Sequence, residues 1–77
     1  MAINKNLPWK SITNELYRDY IYESGFVYRI LRPVAVAMSA SGGHRVFNMY
    51  GECYYVKAGW AIIKWEGKEK GVPQYAF

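Results

Sequence analysis

The sequence predicts an α+β fold, in which an N-terminal helix is followed by a small antiparallel β-sheet of about four to six strands. Three observations carry that expectation. Between Ser11 and Glu23 apolar residues recur four apart, beyond Gly25 the repeat drops to two, and glycine-bearing turn signals then punctuate the chain at short intervals. The 77 residues show no internal repeat and no linker, so residues 1–77 form one compact domain.

Residues 1–10 carry Pro8 and polar side chains and read as an arm that Trp9 pins to the body. A helix is expected over residues 11–23. Ile12, Leu16 and Tyr20 form one stripe, Tyr17 and Ile21 a neighbouring one, Ser11 or Thr13 serves as N-cap, and Gly25 stops the helix in the left-handed conformation. The stretch LYRDYIYE also suits a strand, because tyrosine and isoleucine favour sheets. After Gly25, Phe26, Tyr28 and Ile30 alternate with Val27, Arg29 and Leu31, and Pro33 marks a bulge or an edge before VAVAMS resumes. Further strands are expected in HRVFNM, CYYVKA and WAIIKW, with a last extended piece in VPQYAF.

The segment AMSASGGHRVF, residues 37–47, poses the functional question. If Ala40 to Gly43 form a four-residue loop, Ser39 opposes His44, Ala37 opposes Val46 and Val36 opposes Phe47. Val34, Val36, Met38, Phe47 and Met49 then form a core face, with Arg45 reaching out past its end. Ala35, Ala37, Ser39, His44, Val46 and Asn48 form a small, polar face. A two-residue turn at Tyr50-Gly51 extends this shelf by placing Asn48 opposite Cys53, Val46 opposite Tyr55 and His44 opposite Lys57. Backbone N–H groups of the glycine turn converge on an anion in one reading; in the other, Gly42 and Gly43 merely supply positive φ to a plain hairpin.

Charge points the same way without choosing a partner. Ten basic residues against six acidic ones leave a net charge of +4 and a pI near 9.3, which favours anionic partners: nucleotide, nucleic acid or an acidic protein surface. No apolar run approaches a membrane span or a secretory signal, so a cytoplasmic protein is expected. Cys53 is a lone cysteine and His44 the sole histidine, too few for a disulfide or a zinc site. Neither a metal nor another cofactor is therefore expected. So short a chain lacks those usual supports, which makes self-association the expected one. Trp60 and Ile62 on one face of WAIIKW, with Ile63 and Trp65 on the other, agree with a subunit interface.

No catalytic constellation emerges. Neither a P-loop nor a dinucleotide fingerprint is present, and no spacing sets Glu15, Asp19, Glu23, Glu52, Glu66 or Glu69 beside His44. The aromatics of the C-terminal third, Tyr50, Tyr54, Tyr55, Trp60, Trp65, Tyr75 and Phe77, interleave with Lys57, Lys64, Lys68 and Lys70, a pattern suited to stacking bases and meeting phosphates.

With its SASGGHRVFN and YYVKAGWAIIKWEG segments free of any enzyme signature, this small, basic, aromatic-rich chain resembles in general character the accessory proteins of bacteriophages, including those that counter host defence. The resemblance implies a stoichiometric binding protein, in the host cytoplasm if phage-encoded. The leading expectation is a non-catalytic homo-oligomer that sequesters a nucleotide-type anion, such as a cyclic nucleotide, between subunits. Arg45 and Lys57 would meet phosphate, Ser39, Ser41, Gly42 and Gly43 would offer hydrogen bonds, His44 and Tyr55 would contact a base or sugar, and Asn48 would read a polar edge. The alternatives are a protein-binding inhibitor of a host enzyme or defence complex and a sequence-tolerant nucleic-acid binder.

Overall fold

A computed structural model describes residues 7–68. The segment VPQYAF, with Lys70, lies outside them, as do Glu69 and residues 1–6. Within that span the protein is all β. Seven strands, β1 (Lys10–Ser11), β2 (Glu15–Ile21), β3 (Val27–Leu31), β4 (Pro33–Met38), β5 (His44–Asn48), β6 (Cys53–Val56) and β7 (Ile62–Gly67), form two antiparallel sheets. One sheet is ordered β1-β4-β5-β6, the other β3-β2-β7.

The expected helix over residues 11–23 is therefore corrected to strand. A spacing of four is even, so Ile12, Leu16 and Tyr20 also fit the alternation of a strand, and the β-favouring tyrosines and isoleucine of ELYRDYI are satisfied by pairing on both sides. Tyr20 lies opposite Tyr28 on β3 and Ile63 on β7. Gly25 does take the left-handed conformation, at φ 91°, but as a hairpin residue.

One turn design recurs three times. Tyr22, Ser39 and Asn48 each accept at their carbonyl from the N–H of Gly25, Gly42 and Gly51, three residues on, at 2.9, 3.0 and 3.1 Å. Each then donates its own N–H to the carbonyl of the next residue, Phe26, Gly43 or Glu52. The three glycines have φ of 91°, 88° and 79°, the left-handed position of a three-residue hairpin loop. Glycine occupies it because a Cβ there crowds the following carbonyl.

This loop length overturns the expected registers. Gly42 is the third and last loop residue, so Gly43 pairs with Ser39, Met38 with His44, Ala37 with Arg45 and Val36 with Val46. The second hairpin is likewise one residue off expectation: Val46 meets Tyr54, Arg45 meets Tyr55 and His44 meets Val56. A one-residue slip exchanges faces. His44, Val46 and Asn48 consequently join Val36 on the inner face, while Arg45 and Phe47 join Ala35 and Ala37 outside.

Strands β1–β2 and β3–β4 form one long hairpin that bends where it passes from sheet to sheet. On one arm the bend lies at Ile12–Glu15, closed by Glu15 N–H to Ile12 O at 3.0 Å; on the other it lies at Arg32 and Pro33. The register shifts between Pro33 and Ala35, in keeping with the expected bulge. Arg32 takes φ 49°, a left-handed conformation that costs a residue with a Cβ about 1–2 kcal/mol. Between the sheets lie Ile12, Tyr20, Ile30, Val36, Val46 and Val56, rimmed by Tyr22, Tyr28, Tyr54, Trp60 and Ile63. Each fully buried aliphatic side chain contributes roughly 1.5–3 kcal/mol.

Trp60 precedes β7 and packs edge-on against Tyr20 at 4.9 Å and tilted against His44 at 4.6 Å. It thus covers one end of this chain's own core. Trp9 meets Phe47 edge-on at 5.1 Å, bringing the N-terminal arm onto the outer face beside Ala35 and Ala37.

Candidate functional site

The glycine turn and the β5–β6 pair bring five of the nine expected ligand residues into one outer patch. Ser39 Oγ and Ser41 Oγ are hydrogen-bonded at 2.9 Å, and Ser41 Oγ shares a short hydrogen bond with the Tyr55 hydroxyl. Arg45, cross-strand from Tyr55, lays its guanidinium over the Tyr55 ring at 5.1 Å. Lys57, two residues beyond Tyr55, is exposed beside it. Gly43 lies beneath: a Cβ built there would come within 2.7 Å of the Tyr55 hydroxyl and of the Val56 carbonyl. Glycine at 43 is thus a packing requirement that seats Tyr55, whereas Gly42 meets the backbone requirement of the turn.

The electrostatics of this patch are cationic. The hydrogen bonds from Ser41 and Ser39 hold the Tyr55 hydroxyl below the ordinary phenol range, with the charges of Arg45 and Lys57 acting in the same direction. Any field that favours phenolate at that oxygen also favours a bound anion there.

His44 and Asn48 do not belong to the patch, and their expected place on the open face is corrected: both are buried on the inner face. His44 is fully buried, its Nδ1 2.8 Å from the Tyr20 hydroxyl. Burial, and then the charge of Arg18, push its pKa down to about 4, so it is neutral at pH 7. Asn48 closes the third glycine turn, at Gly51. Its Oδ1 accepts from the N–H groups of Tyr50 and Glu52 at 3.1 and 2.9 Å, and its Nδ2 donates to Glu52 Oε1 at 2.8 Å.

A buried polar chain behind His44 escaped the sequence reading. Glu15 receives two hydrogen bonds from Arg18, at 2.9 and 2.7 Å, with both side chains fully buried; Arg18 Nη1 donates to the Tyr20 hydroxyl at 3.3 Å. Burial lowers the Arg18 pKa, and its interactions with Glu15 and Tyr20 together more than offset it, leaving the guanidinium above its ordinary value. The irregularity between Glu15 and Tyr17 places Glu15 on the same side as Arg18 despite their odd separation. The available signal was a Glu three residues before an Arg, a helical pairing on the expected fold and a core pairing on the observed one.

Among the described residues no cluster of three or more His, Cys, Asp or Glu side chains is placed to hold a metal ion. Compared with known proteins, the chain matches no family model, no curated protein and no solved structure.

Proposed function

We propose that this protein is a non-catalytic binding module that captures a phosphate-bearing, nucleotide-type anion on the Tyr55 patch and so sequesters it. The carrying observation is the convergence of the Ser39 and Ser41 hydroxyls, the Tyr55 hydroxyl and the Arg45 guanidinium at one turn. A guanidinium held over a ring keeps its N–H edge available to an oxyanion, and the hydroxyls supply further donors. Ser39, Ser41, Arg45, Tyr55 and Lys57 all come from one chain, so this patch takes its donors without a second subunit.

A thermal-shift and calorimetric survey of mono-, di- and cyclic nucleotides tests the reading. Binding should raise the melting temperature, and Arg45→Ala and Tyr55→Phe should each weaken it about tenfold while leaving the unliganded protein folded. Retained affinity in both variants defeats the proposal. Affinity for oligonucleotides alone, falling steeply with salt, identifies a nucleic-acid strand as the ligand.

A second reading, a protein partner, is favoured by the outer face of the three-stranded sheet. Val27, Ile21 and Ile62 form one cross-strand row there, and Val27, Leu31 and Ile62 are 48%, 55% and 55% exposed. Between these apolar ends Arg29 grips Asp19 through two hydrogen bonds, at 2.8 and 2.9 Å, and stacks on Tyr17 at 4.0 Å. An apolar face with a rigid charged centre suits a macromolecular surface, either a target protein or a second copy of this chain. Single-particle mass measurement across dilution, alone and with co-purifying protein, separates the two.

A further inference from the structure

We propose that the cleft at the corner between the two sheets is a second binding site, for a compact organic anion whose phosphate or carboxylate meets Arg32 and Lys68 and whose planar ring lies on Tyr50. The cleft encloses about 460 Å³, inside the roughly 300–1,000 Å³ range of small-molecule pockets. It is built where both arms of the long hairpin bend, and Glu15, Arg32, Met49, Tyr50 and Lys68 line it.

Its cations are mounted on fixed backbone. Arg32 donates its N–H to Leu16 O at 2.9 Å and accepts from Met49 N–H at 3.0 Å; Lys68 donates its N–H to Asn14 O at 2.7 Å. Arg32 is the one non-glycine residue with positive φ among those described. A long cationic side chain kept at a position that glycine would fill without strain points toward a role for that side chain. Among the described residues, neither Arg32 nor Lys68 has a side-chain ion pair.

The cleft also contains a carboxylate, which decides the sign of its ligand. Glu15 is buried, and Arg18 occupies both of its oxygens. That pair is neutral as a unit, so Arg32 and Lys68 leave the cleft positive, against a cationic ligand. Met49 and Tyr50 are each 63% exposed on the glycine turn beside them, an apolar and aromatic surface suited to a flat ring next to an oxyanion. No residue is shared with the Tyr55 patch, and the inference stands if that reading fails.

Titration calorimetry on the full chain tests it, with adenosine monophosphate, 2-naphthoate and uncharged adenosine as probes. At least one of the two anions should bind with a sub-millimolar Kd, at least tenfold more tightly than adenosine. Adenosine monophosphate alone identifies a phosphate ligand, naphthoate alone a carboxylate, and both the shared oxyanion. Arg32→Asn keeps a residue tolerant of the left-handed conformation and should weaken binding at least tenfold, as should Lys68→Ala. The double variant Arg45→Ala/Tyr55→Phe removes the Tyr55 patch as a competing nucleotide site and serves as the background for these titrations, in which the losses from Arg32→Asn and Lys68→Ala should persist. Failure of both anions at millimolar concentration overturns the proposal, as does binding within twofold of the parent in Arg32→Asn. Should that variant not fold, unchanged binding in both Lys68→Ala and Tyr50→Ala overturns it equally.

Discussion

Replacing Glu15 by alanine should come close to unfolding this protein. Glu15 and Arg18 are both fully buried, joined by hydrogen bonds of 2.9 and 2.7 Å. Deleting the carboxylate leaves the guanidinium in the core with the Tyr20 hydroxyl at 3.3 Å and the Trp65 ring at 5.9 Å among its neighbours. Neither cancels a full charge, and breaking a buried pair from one side costs about 3–5 kcal/mol. A chain of 77 residues at ordinary stability per residue has roughly 4–12 kcal/mol in total. The double replacement Glu15→Leu/Arg18→Leu removes both charges together and should restore the parent's stability to within about 1–2 kcal/mol, since the desolvation of two ions disappears with their attraction. Equilibrium urea unfolding at pH 7, followed by tryptophan fluorescence and circular dichroism, measures all three proteins on one scale. A single variant within about 1 kcal/mol of the parent, or a double variant as weak as the single, would refute the claim that Arg18 depends on Glu15 for charge compensation.

Three further outcomes follow from the same geometry. The folded-state pKa of His44, about 4, lies below the ordinary 6.5, so its contribution to stability is complete above about pH 6.5 and is lost as pH falls towards 4, by at most about 1.4 kcal/mol per pH unit; urea midpoints from pH 7 to 4 should show this slope, and His44→Gln should flatten it, His44 being the sole histidine. Gly43→Ala should cost roughly 1–3 kcal/mol by overpacking and displace Tyr55, seen as a changed tyrosine ring environment by NMR; an unchanged melting temperature would contradict the contact. Gly25→Ala and Gly51→Ala, where a Cβ meets nothing within 4 Å, should each cost about 1–2 kcal/mol from backbone strain alone, and equal losses in calorimetric melting would confirm that the two turns share one design.

The alternation of β3 and β4, the irregularity at Pro33, the left-handed conformation of Gly25 and the turns at Gly51 and the double glycine were legible in the sequence. What was not legible was anything resting on an even spacing or on the length of a loop. Ile12, Leu16 and Tyr20 satisfy helix and strand alike, and only the pairing of β2 with β3 and β7, invisible locally, decides between them. Of the expected site residues, Ser39, Ser41, Gly43, Arg45, Tyr55 and Lys57 lie together in the structure, as their clustering around one turn in the sequence suggests. His44 and Asn48 were expected on the open face because a four-residue loop was drawn where three residues suffice. The partnership of Glu15, Arg18, Tyr20 and His44 links residues up to 24 apart along the chain, a separation no motif spans.

That single residue of loop length decides which chemistry faces solvent. With Gly42 closing the loop, the odd-numbered residues of β5 point outward and Arg45 arrives over Tyr55; with a four-residue loop, His44 would face out and Arg45 would sit among the valines. The turn does not hold the register alone. Val36, Val46 and Val56 meet across adjacent strands or share the core, and His44 reaches Tyr20 on the opposite sheet, so a slipped register would expose the apolar residues and bring an arginine inside without a carboxylate to receive it. Arg18 enters the core with the Glu15 carboxylate bound to it; Arg45 has no acidic neighbour across either adjacent strand, facing Ala37 and Tyr55. The cost of burying a lone charge therefore enforces the register from within, while Gly42 permits it from outside, and the exposed guanidinium on which the anion-binding reading rests follows from their agreement.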